Sequence, residues 1–387
     1  MRTIPAKTVS PPALLSRIII YLGFAATGVG LALPGSVLPA LLAHWALDDS
    51  QAGLLFFVGW ISCSLGALLV RPSRVQSVAC GSVAIACGAF GMAFGSKPGC
   101  FVWMAIFGLG LGLTMTSISL LQATKNAHRR GMELNRLNLT WAIGACLCPS
   151  LAEHSLRVAG VRVIFSAVGL FFALFSLWMM AFEAGSESSH MQAGPTLNQA
   201  QNKRLGLRNL ALWPLSMLAV ICLPTGIESS MGAWIATYVQ RADHTLFTTV
   251  TAGSCFWAGL LASRSLSAFI PMPKRWERLV LGQSLATVLL GTVLLIAVDS
   301  RVGILPRVFL IGFGLGPIYP MLLSIALQYS ENSTIFFVAG LGSAILPWLT
   351  GIVSSSTSSL RNGLLVPCAA SALMLFLGFR LLIRRAT

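Results

Sequence analysis

Charge is what this chain has least of. Only 10% of its 387 residues are Asp, Glu, Lys or Arg, against about 25% in a water-soluble domain. That is too little to cover a water-facing surface, and 56% of the residues are hydrophobic, with a mean hydropathy of +0.80. The composition therefore reads as a polytopic all-α membrane protein. Acidic residues are scarcest: 11 Asp and Glu stand against 26 Lys and Arg, a net charge of +15. On a soluble chain such an excess would suggest nucleic acid. Here no basic stripe with interleaved aromatics lies outside the apolar runs, so nucleic acid is not an expected partner.

Catalytic and metal-binding sets are also missing. The five histidines, His44, His128, His154, His190 and His244, fall in loops or at the ends of apolar runs. No nucleophile, base and metal set forms around them, so an enzyme is not expected. The nine cysteines lie in or beside apolar runs, and Cys146-Leu147-Cys148 lacks metal-ligand spacing. We expect no disulfide, no metal and no cofactor. The glycines from Gly108 to Gly112 have no following Lys-Ser/Thr and no preceding strand, so they are not a phosphate loop.

What is present is a series of long apolar runs. A span needs about 20 such residues, and twelve runs qualify, from 18–42 to 364–383. The first is too long for the apolar part of a signal peptide and is read as an uncleaved helix. The fifth, 137–151, is short and is expected to extend into its flanks. With the N-terminus inside, nineteen of the 26 basic residues fall on the inner side and seven on the outer. That bias predicts a multi-pass cell-membrane protein with both termini cytoplasmic, in the inner membrane if the source is a Gram-negative bacterium. The one long polar stretch, 184–208, is read as a cytoplasmic linker between six-helix halves at 1–183 and 209–387.

The halves resemble each other. Gly110-Leu-Gly112 matches Gly314-Leu-Gly316, and Gly144 to Pro149 matches Gly342 to Pro347. Gly66 with Arg71 matches Gly259 with Arg264. Parallel six-helix repeats about an axis along the membrane normal belong to one transporter architecture.

With these residues in view, the chain resembles the major facilitator superfamily over its whole length. The loop Gly66-Ala-Leu68-Leu-Val70-Arg71-Pro-Ser73-Arg74 follows the superfamily pattern Gly-x-Leu-x-Asp-Arg-x-Gly-Arg, with Val70 in place of the aspartate and Ser73 in place of the second glycine. In the second half, Gly226-Ile-Glu228 with Trp234 and Tyr238, then Phe256-Trp257-Ala-Gly259 with Arg264, then Gly314 to Pro320 with Tyr319, is similar to the fucose-permease and glucose/hexose-transporter branch. Asn135 and Asn138 before Trp141 and Gly144 also fit that branch. Unlike fucose permeases, this chain has no acidic residue within its first or fourth run. The resemblance implies two six-helix bundles that move a solute by alternating access. Gly66, Arg71, Arg74 and Arg264 would then act as gating residues at the inner loops.

Glu228 is the only acidic residue inside a span, and by hydropathy no Lys or Arg lies deep enough to pair with it. A carboxylate at that depth costs roughly 2.5–3.5 kcal/mol on insertion scales, so it is a functional candidate. Unpaired, it would favour its protonated form, which suits a proton carrier; it could equally accept sugar hydroxyls, or sit near the outer water layer. Trp234 and Tyr238 either border the cavity or belong to the interfacial aromatic belt. Trp257, Trp141 and Tyr319 can stack on or hydrogen-bond a sugar, or pack between helices. Asn138, Asn135 and Gln122 offer amides to a solute or to neighbouring helices. Gln51 is a gate or a simple helix cap. These readings converge on a monomeric secondary transporter of a small polar solute, foremost a sugar, coupled to a proton, with sodium as the other candidate ion. The alternative is an efflux transporter for apolar drugs or metabolites.

Overall fold

The computed structural model describes residues 11–126, 130–183, 215–243, 246–269, 274–298, 303–329 and 334–384. The expected linker at 184–208 lies outside the described residues. Twelve long helices and two short ones run in chain order. The first half holds α1 (Pro11–Ser36), α2 (Leu38–Trp45), α3 (Asp49–Leu68), α4 (Arg74–Phe94), α5 (Cys100–Lys125), α6 (Arg130–Val158) and α7 (Val161–Trp178). The second holds α8 (Leu215–Asp243), α9 (Leu246–Phe269), α10 (Lys274–Ala297), α11 (Ile304–Tyr329), α12 (Thr334–Thr357), α13 (Leu360–Gly363) and α14 (Leu365–Arg384). Among the described residues, nine helices are long and apolar enough to cross a membrane. The three long helices outside that set, α6, α8 and α9, are the ones that carry the charged and aromatic residues discussed below.

One boundary differs from the hydropathy reading for a local reason, and one extends as expected. The run 18–42 forms two helices, because Pro39 falls in the first turn of α2 and lacks an N–H to continue α1. The short run 137–151 lies within the 29-residue α6, which extends over polar residues at both ends. At the start of α3 the Asp48 carboxylate accepts the Gln51 N–H at 2.8 Å while the Gln51 side chain takes the Asp48 N–H. Gln51 is therefore a cap, closing a reciprocal box around two otherwise orphaned donors.

The repeat is carried by backbone contacts at glycine. A Cβ on Gly66 would overlap the Leu109 carbonyl where α3 meets α5, and one on Gly259 the Phe309 carbonyl where α9 meets α11. Gly112 faces the Cys63 carbonyl and Gly316 the Ser263 side chain, again on α3 and α9. Gly144 faces Ala25 of α1, and Gly342 faces Cys222 of α8. Each glycine lets two helices approach to backbone distance, and each has its counterpart in the other half.

One such contact joins the halves. Gly35 lies ten residues after Ala25 and Gly232 ten after Cys222, so they are equivalent positions of the repeat. A Cβ on Gly35 would overlap the Gly232 carbonyl. Equivalent residues meet only near an approximate two-fold axis.

Adding a methyl group where backbone blocks it costs about 1–3 kcal/mol. Gly112→Ala and Gly342→Ala should each lower the thermal midpoint in detergent by a few degrees. Gly282→Ala, which meets nothing within 4 Å, should not lower it. Equal melting of all three variants would refute the packing role.

Candidate functional site

α8 carries its carboxylate at mid-length: Glu228 is the fourteenth of 29 residues, one turn after Pro224. It is not unpaired. Arg264 of α9 donates from Nη2 to Glu228 Oε2 at 3.0 Å, and the two side chains are 18% and 16% exposed. The expectation of a lone acid is corrected here, and the cause is local. Arg264 and Arg71 each lie five residues after their repeat glycine. Pro72 follows Arg71, α3 has ended at Leu68, and Arg71 is left exposed in the connection. Ser265 and Leu266 follow Arg264, α9 continues to Phe269, and the guanidinium stays on the helix within reach of α8.

Aromatic residues enclose the pair. The Arg264 guanidinium carbon lies 5.7 Å from the centre of the Trp141 ring, a cation–π distance. Trp141 meets Trp257 edge to face, with centroids 5.8 Å apart and planes at 84°. Both indoles are buried, at 7% and 4% exposure. Tyr319 of α11 lies within electrostatic reach of both Glu228 and Arg264. Four helices thus converge, and α6 brings the first half to a site otherwise built by the second. The pair is half-buried, so removing one partner leaves the other charge only partly compensated by water.

Two donors here lack a protein partner: Trp141 Nε1 and Arg264 Nε are buried with no hydrogen bond. A buried donor left so costs about 1–3 kcal/mol. The arrangement offers indole faces for an apolar ring surface, a carboxylate to accept hydroxyls and N–H groups to donate.

The other expected residues lie elsewhere or are already engaged. Trp234 is fully buried, and its indole N–H donates to the Pro347 carbonyl at 3.0 Å. It packs against Phe56 of the first half rather than in an interfacial belt. Tyr238 donates to the Leu295 carbonyl of α10 at 3.1 Å. Gln122 is buried and accepts from Asn126, one turn on. Asn138 and Asn135 are exposed on α6, on the terminus-facing side of Trp141. Arg74 folds back to donate to the Arg71 carbonyl at 2.7 Å, while Gly66 is the packing glycine of α3.

Two clusters escaped the sequence reading. Glu133, which lies outside the apolar runs, has a side chain only 4% exposed. It accepts from Arg17 and Arg136 at 2.8 Å and from Tyr21 at 2.6 Å, tying α6 to α1. At the end of the bundle away from the termini, Arg241 of α8 donates to both oxygens of Asp49 at 2.7 and 2.8 Å. Ser354 of α12 adds a third bond to Asp49. The Glu133–Arg136 spacing was a visible helix signal; nothing local in sequence joins Asp49 to Arg241.

Two six-helix halves about an approximate two-fold axis, with a half-buried ion pair and a buried aromatic cluster at their junction, define a membrane-transport fold. The profile of the Major Facilitator Superfamily matches residues 18–335, and the chain belongs to that superfamily. It is therefore of a transporter family and not an enzyme family. It is similar to Bypass of stop codon protein 6 of Saccharomyces cerevisiae, 23% identical over 406 residues, covering 92% of this chain and 80% of that protein. The fold is also similar to the nucleoside transporter NupG, with a TM-score of 0.74 and 14% identity over 95% of this chain and 98% of that one. A partially occluded inward open structure of the xylose transporter XylE from E. coli gives 0.68 and 15%, over 94% and 97%. At these identities the structural likeness establishes fold alone.

The Asp49 cluster predicts a conformational response. Asp49→Asn removes a bidentate pair that crosses between halves and is open to water on the arginine side. Losing about 1 kcal/mol there shifts a two-state balance roughly fivefold. Spin labels at exposed positions 44 and 357 should show a larger population of the longer distance in the variant. An unchanged distance distribution would show that this cluster does not hold the end shut.

Proposed function

We infer that this protein is a secondary transporter moving a small polar solute, sugar-like in its hydroxyls, through the Glu228–Arg264 site by alternating access. The observation that supports this most is the charged pair seated against two indoles where the halves meet. Indole faces suit the apolar faces of a pyranose ring, and a carboxylate accepts paired hydroxyls. In this reading Glu228 also carries the coupling proton, released from Arg264 whenever it is protonated; sodium is the other candidate ion. The transporter acts as a monomer in the cell membrane, with both termini and the 184–208 linker in the cytoplasm. Halves 1–183 and 209–387 are its moving bodies.

A second reading has its own observation. A small, open apolar cleft lies among α1, α3 and α5, lined by Leu31, Pro34, Phe56, Trp60, Met104 and Phe107. Such a lining favours efflux of an apolar compound. Lower accumulation of lipophilic cations in cells overproducing the protein, without saturable flux of polar solutes, would select this reading.

Counterflow in proteoliposomes with a panel of hexoses and related polar solutes tests the first reading. Trp257→Ala should raise the half-saturation concentration by roughly 2- to 12-fold, the loss expected for one aromatic contact. Glu228→Gln should keep solute exchange and lose accumulation driven by a pH gradient. Wild-type accumulation by that variant would remove Glu228 from coupling, and absence of saturable flux for every polar solute would remove the reading.

A further inference from the structure

The two unpartnered donors bear on the identity of the solute. Trp141 Nε1 and Arg264 Nε are buried, neither has a partner, and the guanidinium lies 5.7 Å from the Trp141 ring centre. Glu228 engages the guanidinium through Nη2, so the Nε edge is left over. The Nε edge of a planar cation suits a carboxylate oxygen, and the same site holds an unpartnered indole N–H that can serve a second acceptor. A neutral sugar could bind here with the ion pair intact, and nothing in its binding would then call for a proton. A carboxylate competes with Glu228 for the same guanidinium.

We propose that this site, taken as the solute site of the preceding section, selects a hydroxylated monocarboxylate, the chemistry of a sugar acid, with Arg264 and Trp141 holding its carboxylate. The solute displaces Glu228 from Arg264, Glu228 takes one proton from the adjoining water, and Arg264 keeps its charge. The empty site is then neutral, one carboxylate against one guanidinium. The site loaded with anion and proton is neutral as well. Anion alone leaves one excess negative charge, and proton alone one excess positive charge. Enclosing a net charge in a dry cavity is strongly disfavoured. Only the empty and doubly loaded forms can therefore cross, giving electroneutral symport of one proton per anion.

The surroundings bring no further charge to this pair among the described residues: Arg307, at the far end of α11, donates to the Val298 carbonyl. On the other helices packed against α8, α12 carries no charged side chain, and Arg17 and Tyr21 of α1 are taken by Glu133. α11 presents Tyr319. α2 has only His44, exposed at the far end, and α14 has Cys368 near its start and arginines at its terminus. Besides Glu228, α8 itself has Cys222, bonded to the Val338 carbonyl, and Tyr238, Arg241 and Asp243 toward its far end.

The test uses the full-length protein in proteoliposomes with gluconate, glucuronate and glucose as probes. Acid outside should drive uptake of at least one of the two acids, about tenfold per pH unit, and an imposed membrane potential should not. Glu228→Gln should exchange that acid without responding to the pH gradient. The double variant E228Q/R264Q keeps the cavity neutral; it should melt near wild type and lose acid uptake. Independently of any variant, wild-type protein in weakly buffered detergent should take up close to one proton per acid bound. Uptake of glucose with neither acid would overturn this inference and leave the solute-transport reading standing. Acid uptake that follows membrane potential, or acid binding without proton uptake, would overturn the charge balance. No saturable flux of any probe would overturn both.

Discussion

A charge cannot stay in a low-dielectric interior without a partner, and the middle of this protein is arranged around that constraint. The Glu228–Arg264 pair satisfies it at a distance of 3.0 Å. Such a pair is a poor way to gain stability, since apolar residues of the same volume often do as well or better. Its value lies in what it permits: either member can change partner, and the other then requires a replacement. In the mechanism proposed above, the Trp141 face beside the guanidinium would hold the cation when the carboxylate leaves. A cation–π contact needs no counter-charge, so the arginine is held without being neutralised.

Around this exchangeable centre the packing is rigid. Within each half, glycines at matching positions bring helix backbones into direct contact, α3 to α5 and α9 to α11, α1 to α6 and α8 to α12. Contacts of this kind have no rotamers to adjust, which makes the packing within each half stiff. Between the halves, contact changes along the axis. Gly35 meets Gly232 and Asp49 meets Arg241 toward the end away from the termini, while Trp141 meets Trp257 deeper in. The first two are short contacts that any parting of the halves must break. The edge-to-face contact of two large rings can slide and still exclude water.

Much of the fold was legible because both its signals are short-ranged. Apolar runs of sufficient length gave the long helices, and paired glycines gave the repeat. The errors came where a local feature overrode hydropathy. Pro39 divides a run that reads as continuous, and Glu133, outside the apolar runs, proves to be buried once Arg17 and Tyr21 are folded against it. Trp234 and Tyr238 read as cavity or belt aromatics, but sequence cannot show that a carbonyl of another helix has already taken the indole N–H or the phenol.

The site itself was legible through a different signal, the places where the repeat is broken. Trp257 precedes Gly259 by two residues, as Ser64 precedes Gly66. Ser64 is small enough for Gly340 of α12 to close over it, and at the matching position of the second half a tryptophan meets Trp141 instead. Arg264 matches Arg71, yet one is a buried ion-pair partner and the other is exposed in a connection, because proline follows only the first-half arginine. Positions serving the scaffold must obey the approximate two-fold axis, since both halves pack by the same rules. A solute has no such symmetry, so residues that hold it are free to depart from the repeat. Reading the alignment of the halves for its mismatches would have placed Arg264 beside Trp257 before any coordinates, and left only the register of α8 against α9 to be found from the fold.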